Sequence, residues 1–534
     1  MKGTFRQSMT WLHTWCSLLF CWVLYFIFVT GTLGYFDNEI DRWMKPEVPP
    51  AVDVPVRDAY GVAWTFLEKN APGAVRWSIA QPSRMNHDQL TVSWRMPEPA
   101  DADAVDPESL RGNHRLHTVT GEPLSYTARE TSGGQVLYRM HYNLHYIKAD
   151  VAYRMVGVIT LILFLAIITG IVAHKKIFKE FFTFRPKKGA RSWLDMHNLL
   201  GVSSLPFLLM ITYSGLVFVI LMWMPGVLLG SYGFDAEKAQ AGTQGLLFEA
   251  PSIERSGEPA ATVNLEVVLR QVEDQWGLEN LDSLQIQNPG DANSRIIAGS
   301  DRAKIYYFPS SLVFDGVTGA FIEERPFSEL KSISFAAAMI GLHEGQFADT
   351  ITRWLFFIAG LIGSAAIATG AVYWTAKRRK AVPEREQDRG FRFVDCLNIG
   401  TIAGLPVAIA AYFLANRLLP VEMDHRAEWE VHAMFIVWAA CLFYPLFRSR
   451  VKAWRELFFA AAIACLAIPI VNAITTDAHL LASIRIDDWV LAGFDMTCLI
   501  LGLGFAVLAS RIGVKAEAED LGTPKQASAS VSRP

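Results

Sequence analysis

Apolar residues gather into eight runs long enough to cross a bilayer, near 12–35, 151–173, 199–223, 354–375, 394–415, 431–447, 457–474 and 489–510. About 20 helical residues at ~1.5 Å each cover the ~30 Å hydrocarbon core. Two long polar inserts interrupt the series, over 37–142 and 224–350. In the first, Gln89 to Arg95 alternates as a half-buried strand does, and His117 to Ser125 reads as strand, tight turn at Gly121, strand. In the second, Val263 to Trp276 has helical apolar spacing, while 296–308 and 311–323 read as strands. Each insert is therefore expected to be a small α+β module.

The pattern predicts a polytopic α-helical membrane protein of about eight transmembrane helices carrying two α+β modules. Its expected divisions are a first helix in 1–36, a module in 37–142, and two helices with a basic loop in 143–223. A second module over 224–350, a helix and basic loop over 351–392, four further helices over 393–511 and a polar tail over 512–534 complete the chain. The tail's Ala/Ser/Lys composition predicts disorder.

Charge sets the expected orientation. Lys175, Lys176, Lys179, Arg185, Lys187, Lys188 and Arg191 follow the second run, and Lys377, Arg378, Arg379, Lys380, Arg385, Arg389 and Arg392 follow the fourth. Arg448, Arg450, Lys452 and Arg455 follow the sixth, whereas the opposite connections, 422–430 and 477–488, are mostly acidic. The positive-inside rule puts both termini in the cytoplasm and both inserts outside it. The first run is too long for a signal-peptide core and lacks an A-x-A-like cleavage site after it, so it reads as a permanent helix. A net charge of −3 gives no sign of nucleic-acid binding. All six cysteines fall in apolar runs without C-x-x-C spacing, which predicts buried hydrophobes rather than metal or disulfide sites.

The two halves of the first 380 residues repeat one layout. His13 is followed 18 residues later by Gly31, and His197 by Gly215 at the same interval; Gly121 precedes His145 by 24 residues, as Gly319 precedes His343. By depth, His13 and His197 belong near the cytoplasmic face, and His145 and His343 near the other. Ionisable side chains are costly at such depths and usually functional. If the halves pack about a pseudo-twofold axis, each level holds a facing pair, able to supply both axial ligands of a haem iron for electron transfer. Two b-type haems are expected. Gly31, Gly34, Gly170, Gly215 and Gly370 would allow close approach.

His141, one helical turn before His145, is the alternate upper ligand, and His174 the alternate lower one. Zinc is disfavoured at 141/145 because the Glu of H-E-x-x-H is missing. His432 heads the sixth helix and could touch a further cofactor or quinone; His114 and His117 read as surface residues. Arg154 and Arg353 fall in matching places after the outer histidines and could pair with haem propionates, or snorkel to the interface. No G-x-G-x-x-G follows a strand, and the cytoplasmic segments are too short for a nucleotide-binding domain. The electron donor, a quinol or a cytoplasmic reductase, is therefore expected to be a separate molecule.

At these residues the chain resembles the PepSY-associated transmembrane helix family. The likeness rests on Leu12-His13-Thr14-Trp15, Thr30-Gly31 with Asp37 to Asp41, and Met196-His197-Asn198-Leu199-Leu200-Gly201. It continues in Leu342-His343-Glu344-Gly345, Thr369-Gly370 through Trp374, and the turns Thr120-Gly121 and 315–319. It covers about 8–380. The resemblance implies a bacterial inner-membrane protein with periplasmic PepSY-like modules, linked to iron uptake, and similar to di-haem reductases that reduce ferric siderophores to release Fe(II). The four helices after Arg392 lie outside it. A non-enzymatic membrane protein that binds or regulates a periplasmic partner is the alternative, and it predicts no Soret band. A transporter would need a charged midplane site, and the helix centres hold almost no acids.

Overall fold

The computed structural model describes residues 4–49, 52, 54–82, 89–98, 109–174, 177, 183–219, 235, 253–300, 310–325, 331–381 and 389–512. Residues 513–534 of the polar tail and residues 175–176 and 178–182 of the first basic loop lie outside them. Among the described residues, seven helices are long and apolar enough to cross a membrane, and a bent pair could form one more span.

Helix α1 (Phe5–Leu33) starts about two turns before its apolar run, because Thr4 caps it in a capping box with Gln7. It continues into α2 (Asp37–Met44) and α3 (Val56–Asn70). Strands β1 (Arg76–Ala80), β2 (Leu90–Arg95) and β3 (Arg111–Leu116) precede α4 (Gly133–Asn143) and the spanning helix α5 (Ala149–Ala173). The expected third span is two helices, α6 (Ala190–Ser203) and α7 (Leu205–Phe218), bent by 66°. Pro206 in the first turn of α7 cannot donate back to α6, which is where a helix breaks.

The second half repeats the order: α8 (Leu265–Trp276), β4 (Leu281–Gln287), β5 (Arg295–Ser300), β6 (Ser311–Asp315), β7 (Phe321–Arg325), α9 (Lys331–Glu344) and the spanning helix α10 (Thr350–Ala381). The remaining helices are α11 (Arg389–Ile402), α12 (Gly404–Leu418), α13 (Arg426–Phe443), α14 (Arg450–Thr475), the short α15 (Leu480–Arg485) and α16 (Trp489–Arg511).

The inserts do not stand as two separate modules. β1 pairs antiparallel with β4, Arg76 opposite Gln287 and Ala80 opposite Ser283, and makes one seven-stranded sheet in the order β3-β2-β1-β4-β5-β6-β7. One face of this sheet is apolar. Trp77, Ile79, Leu90 and Val92 share a core there with Leu284, Ile286, Ile296 and Phe314 under α3 and α8. Pairing closes an edge that each half would otherwise expose.

The last helices clamp the root of the first insert through buried polar groups. Arg426 and Glu430 form a completely buried ion pair. Glu430 accepts from the Thr131 hydroxyl at 2.6 Å, and the Tyr412 hydroxyl donates to Gly133 O at 2.7 Å, at the start of α4. Asn416 donates to Met44 O at 3.2 Å, and Trp43 Nε1 donates to Asp495 at 3.0 Å. Arg417 lies 3.7 Å over the Trp43 ring.

Candidate functional site

Two pairs of imidazoles meet between the halves. The ring centres of His13 and His197, on α1 and α6, lie 6.3 Å apart. Those of His141 and His343, near the ends of α4 and α9, also lie 6.3 Å apart, with planes inclined by 24°. His13 and Gly31, the glycine that packs on His141, are 18 residues apart on α1, about 27 Å at ~1.5 Å per residue. The pairs therefore sit at well-separated levels.

The lower pair and His343 are as the repeat predicts; the upper partner is not His145. Helix α4 ends at Asn143, where Leu144 turns into the left-handed region at φ 38°. His145 lies beyond this break, and its ring stacks on Phe435 at 5.7 Å. His141 takes the facing place one turn earlier. Equal spacing from the turn glycine misled because the facing histidine of the first half stands 20 residues after Gly121, one helical turn short of the 24 that separate Gly319 from His343.

All four rings are oriented alike. Nδ1 of His13 donates to Ala166 O and Nδ1 of His197 to Ala366 O, each at 2.8 Å. His141 Nδ1 donates to Tyr138 O, and His343 Nδ1 donates at 2.9 Å to the Ser214 hydroxyl, whose own hydrogen goes to Met210 O. The three carbonyl oxygens can only accept, which places a proton on Nδ1 of His13, His197 and His141 and the lone pair on Nε2; the Ser214 hydroxyl can accept from His343 in the same way. This is the usual arrangement for a metal-ligating histidine, with the second nitrogen fixing ring and tautomer. Burial pushes His141 down to about 4 and His343 to about 3, which keeps both neutral and able to ligate.

Glycines make the room. A Cβ on Gly170 would sit 3.1 Å from His13 Cε1, and one on Gly370 would sit 3.0 Å from His197 Cε1. On Gly215 it would lie 3.1 Å from His343 Cε1, and on Gly31 3.5 Å from His141. Each imidazole thus lies against the glycine at the matching place of the repeat. Gly34 instead admits Tyr138, at 3.0 Å.

The geometry fits two axial ligands of one metal. With metal–imidazole bonds of about 2.0 Å and about 1.1 Å from nitrogen to ring centre, opposed imidazoles would have centres roughly 6.2 Å apart. Among the described residues no group of three or more His, Cys, Asp or Glu converges on a point. Two nitrogens alone are a poor shell for a free ion, but they complete the shell of a metal already held by a flat macrocycle. The upper pair faces a cavity of about 240 Å³ between α1, α4, α5, α7, α9 and α10. Its lining is mainly apolar, with Tyr138, Tyr142, Tyr153 and Glu344 among the polar groups, the usual make-up of a cofactor pocket. Tyr138 donates to Glu344 at 2.7 Å; burial raises the Glu344 carboxyl to about 7.

The two arginines do not share a role. Arg353 is buried against Glu39 and lies 5.0 Å over the Phe36 ring, so its charge is already matched inside the protein. Arg154 is exposed on α5. Neither is among the residues that line the cavity. His174 is half-buried at the C-terminal end of α5, one turn beyond Gly170. His432 accepts the Tyr146 hydroxyl at 2.5 Å beside Trp429. In the insert, His114 stacks on Trp94 and His117 folds into its own turn.

An uncharacterized protein of Pseudomonas aeruginosa is 26% identical over 363 residues, covering 65% of this chain and 86% of that protein. The family model described as the PepSY-associated TM region matches residues 10–377, which include all four paired histidines and their glycines. The chain is a polytopic helical membrane protein that belongs to the PepSY-associated transmembrane region family.

Proposed function

We propose that this protein is a transmembrane electron conduit that holds two b-type haems and reduces a ferric siderophore, releasing Fe(II). One observation carries the reading: two imidazole pairs, each 6.3 Å between ring centres, with Nδ1 engaged in all four rings. His13 with His197 would hold one haem, and His141 with His343 the other. Bound in this way, haem supplies reversible one-electron transfer with no coordination position left open.

The chain's own groups do the rest. Ala166 O, Ala366 O, Tyr138 O and the Ser214 hydroxyl fix the four rings, so little reorganisation accompanies a change of charge. Gly170, Gly370, Gly31 and Gly215 keep side chains out of the space beside them. The lining around His141 and His343 is mainly apolar. Under the positive-inside rule the basic loops face the cytoplasm and the sheet faces the periplasm of a bacterial inner membrane. The donor, a quinol or a cytoplasmic reductase, is then a separate molecule on the His13/His197 side. Fe(II) is softer and less charged than Fe(III), so hard oxygen-donor chelators hold it less strongly once it is reduced.

The test is anaerobic stopped-flow spectroscopy of the purified, dithionite-reduced protein mixed with a ferric trihydroxamate siderophore. Reoxidation of sharp α-bands with stoichiometric Fe(II), trapped by ferrozine, is expected. Bands that stay reduced in the presence of the ferric chelate would reject the reductase activity.

A further inference from the structure

Three arginines stand side by side on the open face of the sheet. Arg76 on β1 is in register with Arg95 on β2, and Arg95 with Arg111 on β3. Residues so paired have Cβ atoms about 5 Å apart, and like charges directly opposite destabilise a sheet. All three are exposed, and alternation puts them on the face away from the helices, since neighbouring Trp77 is buried in the core.

The same row continues into the second half, where it is built differently. Arg76 is in register with Gln287, Gln287 with Arg295, and Arg295 with Asp315. There the single arginine meets a carboxylate in register, at 3.0 Å. In the first half no carboxylate occupies the row. Glu98, beyond the end of β2, reaches Arg95, through two well-exposed side chains. The next row inward is Ser78, Ser93 and Asn113, all neutral hydrogen-bonding groups. Together these residues line an open cleft of about 300 Å³. Cationic forks over a floor of neutral donors suit a carboxylate-rich anion, which arginine binds in bidentate fashion.

The row is also set at the end of the strands away from the chain that leaves α2. The opposite ends of β2 and β3 are tied to the chain leaving α2, by Gln89 to Pro49 O at 3.1 Å and Thr118 to Val52 O at 3.0 Å. Arg95 and Arg111 lie five residues further along their strands, about 17 Å at ~3.3 Å per residue.

We propose that Arg76, Arg95 and Arg111 form a capture site for a small polyanion of the polycarboxylate class, an iron chelate in particular, on the far end of the insert sheet. That the anion is an iron chelate rests on the reductase reading; that the row binds anions does not.

Isothermal titration of citrate, and separately of ferric citrate, into the full chain in nanodiscs tests this. Saturable binding is expected, weakened at least tenfold by the double substitution Arg76→Gln with Arg111→Gln, weakened by salt, and unchanged by Arg295→Gln. The sequence between β2 and β3 carries Asp101, Asp103 and Asp106, so a variant with all three changed to Asn relieves competition from that acidic segment. Equal affinity in the wild type and the double variant overturns the proposal. So does an absence of saturable binding in both the wild type and the triple Asn variant. The absorption spectrum of each sample is read in parallel; citrate binding by a protein without haem leaves the anion site standing and removes the reductase reading.

Discussion

His141 and His343 face each other across the two halves at the same 6.3 Å that separates His13 from His197. Position 141, not 145, is thus the counterpart of His343. His141→Ala should remove one haem of two, whereas His145→Ala, which unstacks a ring from Phe435, should retain both. Pyridine haemochrome quantification of the two variants checks this, and the reverse result would return the ligand role to His145.

Gly370 carries the second prediction. Its Cα faces the His197 ring, and a Cβ would already lie 3.0 Å from Cε1. Gly370→Leu adds three more carbons in the same direction and should displace the ring. Loss of one haem is expected, with the spectrum of the His141/His343 site unchanged. Full haem content in this variant would mean that the glycine does not govern the ring.

How much of this was legible in the sequence depended on the range of each interaction. The pairing of His13 with His197 followed from a repeat, and depth along a helix follows from counting residues. His141 was not resolved from His145, because helical positions one turn apart share a face. The break that separates them comes from the backbone at Leu144. The fused sheet had no local signal at all, since 76–80 and 283–287 each alternate like any half-buried strand. The helix at Val56–Asn70 did have one: Tyr60, Ala63, Trp64 and Leu67 follow helical spacing and are all buried. The clamp of Arg426, Glu430 and Asn416 was illegible, because partners such as Thr131 lie some 300 residues away in the chain.

Arg353 and Glu39 supply a test that separates stability from cofactor binding. Both side chains are nearly buried, 8% and 14% exposed. Glu39→Gln leaves the guanidinium without its countercharge, and losing one partner of a buried pair costs about 3 kcal/mol. A lower denaturation midpoint in detergent is expected, with haem content per folded chain unchanged. Specific loss of haem without destabilisation would restore a propionate role to Arg353.

Acid should loosen the second half of the sheet. Burial alone would raise the Asp291 pKa, but hydrogen bonds from Ser256, Gly257 and Asn293 outweigh it and hold the carboxyl well below the usual range. A depressed folded-state pKa contributes stability above the unfolded value near 3.9, lost as pH falls below it. Asp291→Asn should therefore be less stable than wild type at pH 7, with the difference shrinking towards pH 3. A difference that grows on acidification would contradict this sign.

The most direct measurement of the central claim is the haem content of the full-length protein purified from haem-replete cells. Two b-type haems per chain, with a six-coordinate low-spin spectrum in both redox states, is the result predicted here. A colourless preparation, or haem retained in full after His13→Ala combined with His141→Ala, would contradict it.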